Sequence, residues 1–303
     1  STLKTSGNTS ILLEGDNNYI RGGRIDSDNT SDGVYNLTGL SGGDNNTIDG
    51  VDFYTDQGAG LYVIGENATV KNCTITAQNN GLNVNGHTAS ILDCTVNTHD
   101  GTALTYGISL NAPNGGAPVT HNTFIGAGLI QGCTVYSGQI NVGNDVYANI
   151  ADCSTYSDGG YYGIQHLGTG SIKDCIAKVE GTNSNYGRAI YTVGAKDMVI
   201  ENCIGEGYRT GIDCDGNVKI INSIGATHGG DGGVYIQNGN GIFLNNVTGI
   251  ARGSTQTEAV NISISSSANG EKNFIQNLKG VNYQTTGVGS YENTFVITGA
   301  PDS

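Results

Sequence analysis

The sequence predicts an all-β chain wound as a right-handed, single-stranded parallel β-helix, a solenoid of about ten to twelve coils. It is expected to fill residues 1–303 as one domain, with irregular terminal coils over about 265–303. Three observations predict this. A four-residue pattern recurs at a coil-sized spacing, its third position holds residue types that tolerate a left-handed backbone, and helix-period stretches are absent.

The pattern reads apolar, any, Asn/Asp/Gly, then often Cys. It occurs as VKNC at Val70 to Cys73, ILDC at Ile91 to Cys94, IENC at Ile200 to Cys203 and IINS at Ile220 to Ser223. Weaker copies start at Ile20, Ile48 and Phe243, and Phe274 and Phe295 are read as opening the last turns. Successive anchors are mostly 20 to 28 residues apart, with one gap of 39 between Ile91 and Ile130. That gap is either one coil with a long loop or an extra coil at Val119 to Asn122.

The third positions are Gly22, Gly50, Asn72, Asp93, Gly132, Asp152, Asp174, Asn202, Asn222 and Asn245. Each coil is therefore expected to bend there. Cys73, Cys94, Cys133, Cys153, Cys175 and Cys203 then stack in one inward column. Column neighbours sit about 4.8 Å apart, farther than the roughly 3.8 Å between the Cβ atoms of a disulfide. This column of six, with an odd total of seven cysteines, predicts buried reduced thiols and folding in a reducing cytoplasm.

A second strand follows in each coil, entered by a small residue, as in Gly60-Leu61-Tyr62-Val63, Gly81-Leu82-Asn83-Val84 and Gly211-Ile212-Asp213-Cys214. Its alternation puts one side in the core and one in solvent. The outward row reads Tyr35, Tyr62, Asn83, Ser109, Asn141, Gln165, Tyr191, Asp213, Tyr235 and Asn261. Connections of variable length precede it, the longest at 97–107, 155–163, 177–189, 225–233 and 249–258.

Composition bounds the partners. Forty-nine glycines with abundant Asn, Asp, Ser and Thr would suit a disordered chain, but the periodic Ile, Val and Leu exclude that. Thirteen Lys plus Arg against 27 Asp plus Glu give a net charge of −14, which repels nucleic acid and anionic membranes. No run of eighteen apolar residues exists, so membrane insertion is not expected. The opening STLKTSGNTS lacks the features of a signal peptide and reads as a processed or cloned end.

The repeat resembles that of the pectate-lyase-like parallel β-helix proteins, a group that includes alginate epimerases and bacteriophage tailspikes and depolymerases. The resemblance covers roughly residues 11–298. The DPHE motif of the epimerases is missing, and GGDNNTIDG and GGDGGVYI do not form a calcium nonapeptide array. The thiol column without a secretion signal, and the endings NFIQN and ENTFVIT, favour the phage group. That resemblance implies a tailspike or receptor-binding protein in a virion tail, homotrimeric, which recognises host surface polysaccharide and can depolymerise it. No N-terminal capping helix or attachment segment is recognisable, so either other parts of the particle supply one or the chain is an excised piece. The alternatives are a secreted polysaccharide lyase or epimerase, for which Ca²⁺ would be the cofactor, and a noncatalytic glycan-binding adhesin or structural spike. No other cofactor and no metal site are expected.

Flat aromatic faces with amide or hydroxyl tips suit a sugar chain, which offers C–H faces and hydroxyls. The expected substrate-binding residues are Tyr191, Tyr235, Gln165, Tyr162, Arg188 and Arg209. Hydrolysis needs two carboxyl groups, about 5 Å apart for retention or roughly 6.5 to 9.5 Å for inversion. Asp213 with Glu180 or Glu206 is the expected pair, and Asp158 matches Glu180 one coil earlier. His87, His99, His121, His166 and His228 show no metal-ligand spacing.

Overall fold

The computed structural model describes residues 2–298 apart from 6–8, 14, 28–36, 57, 87, 99–105, 112–127, 145, 159–160, 182–185, 194–197, 240, 253–257, 265–272, 284–289 and 293–294. The chain is an all-β parallel solenoid. Among the described residues there is no helix, hence none long and apolar enough to cross a membrane.

Each regular coil carries three short strands, such as Thr69–Lys71, Thr74–Ala77 and Leu82–Asn85. The middle one corrects the sequence reading, which had only a connection between the cysteine and the next strand. The connections are shorter accordingly. Among the described residues nine passes carry three strands, from Tyr19–Arg21 to Gly232–Gly239, slightly fewer than the ten to twelve coils expected. Beyond them, Phe243–Ala251 and Phe274–Tyr283 each fuse the first two strands into one.

Two compact units divide the chain, residues 1–156 and 157–303. In the first, parallel pairing aligns Ile20, Ile48, Val70, Ile91, Ile130 and Ile150 into one column. Leu61, Leu82, Ile108 and Ile140 form another. The direct pairing of Ile91 with Ile130 answers the 39-residue gap: no coil intervenes between them. The candidate extra coil at 119–122 lies outside the described residues. In the second unit the columns are Ile172, Ile200, Ile220 and Leu244, and Ile164, Ile190, Ile212, Val234 and Val260. All of these but Ile20 are core residues. The last anchor shifts by one from the sequence reading. Leu244 is enclosed, while Phe243 lies across from Lys219 and stacks on Phe274 with centroids 4.8 Å apart.

The bends are where the pattern put them. Asn72, Asp93, Asp152, Asp174, Asn202 and Asn222 all have φ between 49° and 53° or 54°, and Gly22, Gly50 and Gly132 adopt φ of 65° or 66°. The shift of anchor moves the last bend from Asn245 to Asn246, with φ of 56°. Amide tips bridge some of these bends along the stack: Asn202 Nδ2 donates to Asp174 Oδ1 at 3.0 Å and Asn246 Nδ2 to Asn222 Oδ1 at 3.0 Å. All seven cysteines are buried and none is in a disulfide. Cys73, Cys94, Cys133 and Cys153 follow the bends of the first unit and Cys175 and Cys203 those of the second. Their thiols donate to main-chain carbonyls, Cys73 Sγ to Lys71 O at 3.2 Å for example. Cys214 occupies a different column beside Thr192, and burial pushes its thiol up to about 12.

Candidate functional site

The outward row of the third strands is built by pairing register. Tyr62, Asn83, Ser109 and Asn141 align in the first unit, and Gln165, Tyr191, Asp213, Tyr235 and Asn261 in the second. Leu40, not Tyr35, pairs with Tyr62, and Tyr35 lies outside the described residues. In a parallel sheet, residues in register share a face, so period-two alternation lines them up in one row, but Ser109, Asn141 and Asp213 are buried within it, which corrects the solvent-facing row the sequence predicts.

A second row converges on it in the second unit: Tyr162, Arg188, Thr210, Gly232 and Glu258. Gly187 precedes Arg188 with φ of 66°, and its carbonyl accepts from Arg209 N at 2.9 Å. That left-handed step is open to glycine and starts the strand that carries the arginine. Between the rows the residues are small, Gly163, Ala189, Gly211, Gly233 and Ala259. A Cβ on Gly211 would collide with Ala226 N, and one on Gly233 with Ile250 N. The sheets therefore pack closely behind the site.

Four side chains meet there. Arg188 Nε donates to Asp213 Oδ2 at 2.5 Å, and Nη1 to the Tyr162 hydroxyl at 3.4 Å. The guanidinium lies 4.7 Å from the Tyr191 ring centroid and 5.9 Å from that of Tyr162, within cation–π range. Tyr162 and Tyr191 stack at 4.9 Å with planes 9° apart. Tyr161 and Tyr186 extend the cluster: their rings are 4.3 Å apart, and Tyr186 meets Tyr162 edge-on at 6.2 Å. Next to it, Arg209 Nε donates to Asp231 Oδ2 at 2.5 Å.

Asp213 is 1% exposed, and its Oδ1 has no hydrogen-bond partner. Burial raises its carboxyl to about 6, outweighing the lowering by the Arg188 charge and hydrogen bond. Burial likewise raises the hydroxyls of Tyr162 and Tyr191. It opposes the charge on Arg188, but Asp213 and the tyrosines more than restore it, so the guanidinium stays protonated. The expected exposure of Asp213 is thus corrected. Its register is outward, yet it is enclosed beneath its arginine.

The other carboxylates named from the sequence sit elsewhere. Glu206 belongs to the middle strand Ile204–Gly207, where its Oε1 accepts from His228 Nε2 at 2.7 Å and Arg252 Nη1 at 2.9 Å. Burial would raise its carboxyl, but those partners prevail and hold it low. Glu180 is exposed and pairs with Lys178 at 2.6 Å, and Asp158 is exposed. The Glu180 amide donates to Ser157 O at 2.9 Å, consistent with the matching positions read for Asp158 and Glu180. Among the described residues, Asp213 has a hydrogen bond or ion pair with none of these three. A carboxylate that does act on it electrostatically is Asp231, which the sequence reading did not name. Arg209 was named, and Asp231 directly precedes the Gly232 that enters the next strand. The pair of tyrosines at 161–162 was the unread signal for the aromatic cluster.

His166 is enclosed in the core, while His87, His99 and His121 lie outside the described residues. Among the described residues no group of three His, Cys, Asp or Glu is set to hold a metal ion.

The fold is a parallel β-helix. No protein-family model matches the chain and no curated protein matches it. Among solved structures it is similar to the tailspike protein gp49 from Pseudomonas phage LKA1, at 14% identity and a TM-score of 0.51 over 86% of this chain and 51% of that one. It is also similar to pectate lyase Pel9A, at 12% identity and a TM-score of 0.47 over 86% of this chain and 69% of that one. The chain spans about half the length of the tailspike it matches. These likenesses are of fold.

Proposed function

We propose that this chain recognises a polysaccharide of a host cell surface, as the β-helix of a tailspike-type receptor-binding protein carried on a virion tail. The observation that carries the reading is the cluster of Tyr161, Tyr162, Tyr186 and Tyr191 around Arg188, in register with Gln165 and Tyr235. Tyr191, Tyr235 and Gln165 are half-buried, so each keeps an accessible part while its orientation is fixed by packing. Fixed aromatic faces stack on the C–H faces of sugars with little loss of side-chain entropy. The polar tips of Gln165 and Tyr235, and Arg209 beside them, supply hydroxyl partners. The likeness of fold to a phage tailspike supports the virion assignment; the homotrimer is part of the proposal, and light scattering of the purified chain would test it.

Cleavage by hydrolysis is a further part of the reading. Asp213, with a carboxyl raised to about 6, has the proton affinity a general acid needs near neutral pH. Glu206, Glu180 and Asp158 are the candidates for the second carboxyl. The experiment is incubation with bacterial capsule and lipopolysaccharide, measuring both retention of glycan and new reducing ends. Retention that fails in Tyr191→Ala supports recognition, and new reducing ends support hydrolysis. Products absorbing in the ultraviolet would point to a lyase instead. No retention of any glycan would overturn the proposal.

A further inference from the structure

The saccharide reading leaves one feature of the site unused. Arg188 is a largely enclosed charge on that face, with 11% of its side chain exposed, and it pairs with Asp213 through Nε. Its other polar contact, Nη1 to the Tyr162 hydroxyl, is long at 3.4 Å and neutral. A guanidinium offers a planar fork that takes a carboxylate or phosphate through two parallel N–H bonds. Here it is engaged through a single nitrogen. The partner carboxylate is equally incomplete, since Asp213 Oδ1 is enclosed and unpaired.

The groups that face Asp213 make this pair a balance between states. Arg188 approaches from the preceding third strand. Tyr191 flanks it there and Tyr235 on the following strand, with Tyr162 one coil further back. Arg209 and Asp231 act from the connections on either side, with opposite signs, and Asp215 lies on its own strand. Burial favours the neutral acid and Arg188 favours the carboxylate. When Asp213 gains a proton, it stops being an anion while Arg188 cannot lose its charge. A largely enclosed guanidinium is then left without a counterion, a costly state that an incoming anion relieves.

We propose that Arg188 is the recognition group for an oxyanion substituent, a carboxylate or phosphate, on the bound glycan, and that protonation of Asp213 opens it for that ligand. The inference depends on the saccharide reading of this face. In this arrangement the site takes neutral glycans in either state and gains affinity for acidic ones on mild acidification. Asp213 acts as the stand-in anion that holds Arg188 in place until then.

The test is binding of hexagalacturonate, of neutral maltohexaose and of inorganic phosphate to the whole protein, by calorimetry, at about pH 7.5 and about pH 5. Hexagalacturonate should bind about tenfold more tightly at the lower pH, the gain expected of one charge-assisted hydrogen bond. Maltohexaose should bind equally at both. Phosphate competing with hexagalacturonate at the lower pH would identify the shared oxyanion chemistry, and its failure to compete would restrict the site to carboxylates. Asp213→Asn should bind hexagalacturonate at the higher pH as tightly as the wild type does at the lower, with little pH response left. Adding Arg188→Gln to that variant should remove the gain. The wild-type comparison needs no variant to fold: equal affinity for hexagalacturonate at both pH values overturns the inference. So does a variant Asp213→Asn that keeps the full pH response, since that response would then come from the general charge of the protein. Maltohexaose binding with no acid gain for hexagalacturonate would sink the inference and leave the saccharide reading standing. No binding of either sugar would sink both.

Discussion

Arg188 Nε donates to Asp213 Oδ2 at 2.5 Å, yet the carboxyl of Asp213 is raised to about 6. The ion pair is therefore dominated by the cost of burial, not by the attraction between its members. Removing the cation should expose that cost. Arg188→Met is expected to destabilise the protein by about 3 kcal/mol near neutral pH, because a buried carboxylate loses its one hydrogen-bonded partner. The loss should shrink at about pH 5, where Asp213 binds a proton. Urea denaturation at the two pH values measures it, and an equal loss at both would contradict the assignment of the effect to Asp213.

The same carboxyl sets a pH dependence whose sign is opposite to the common one. Its folded pKa of about 6 lies above the ordinary 3.8, so the folded state binds the proton more tightly than the unfolded state. The stability linked to Asp213 is complete below about 3.8 and is lost as the pH rises through about 6. Lowering the pH from about 7.5 to about 5 should thus add roughly 1 to 2 kcal/mol. Glu206, whose carboxyl is held low, works the other way and loses its contribution as the pH falls through its depressed pKa. Thermal melting across this range should show the rise in the wild type and a flat profile in Asp213→Asn.

How much of this was legible beforehand follows from what sequence patterns encode. The left-handed bends could be read because few residue types tolerate that backbone, and Asn72, Asp93 and Asn202 sit where the pattern put them. The outward row from Gln165 to Asn261 was legible for a related reason, since a period of two fixes the face once register is known. The middle strand was not. In Thr74–Ala77 and Ile204–Gly207, Thr, Ala and Gly dilute the apolar signal, and exposed Ile204 points away from the core. The burial of Asp213 was also hidden. It depends on Arg188 reaching across from the previous coil, and on the crowding of Tyr162 and Tyr191, neither of which a strand period records. Glu206 was assigned to the same region by closeness in sequence, but the bend between Ile204–Gly207 and Thr210–Asp215 puts it on another sheet.

The bends themselves can be tested at Asn202, where φ is 54°. Alanine there keeps the Cβ that asparagine already has but lacks the short polar side chain that eases the left-handed region, so Asn202→Ala should cost about 1 kcal/mol. Glycine adopts that backbone without steric cost, so Asn202→Gly should stay within about 1 kcal/mol of the wild type despite losing exposed hydrogen bonds to Asp174 and Asn222. Urea unfolding of both variants distinguishes conformational strain from the amide ladder. Equal losses would mean that the side-chain bonds, and not the backbone, hold the bend.

Close approach of strands makes a different demand at Gly81, whose backbone is not left-handed. A Cβ there would collide with Val96 Cγ1 and with the carbonyl oxygen of Gly107 on the next coil. A backbone oxygen cannot rotate away, so Gly81→Ala should force the third strands apart and cost about 3 kcal/mol, in the range of overpacked cores. Gly50 provides the control. It has φ of 66° and nothing within 4 Å of its ideal Cβ, so Gly50→Ala should cost only the backbone term of about 1 to 2 kcal/mol. Denaturation midpoints that rank Gly50→Ala as the milder change would separate contact from conformation as the reason each glycine is needed. The reverse ranking would mean that the second and third strands pack more loosely than the contacts of Gly81 require.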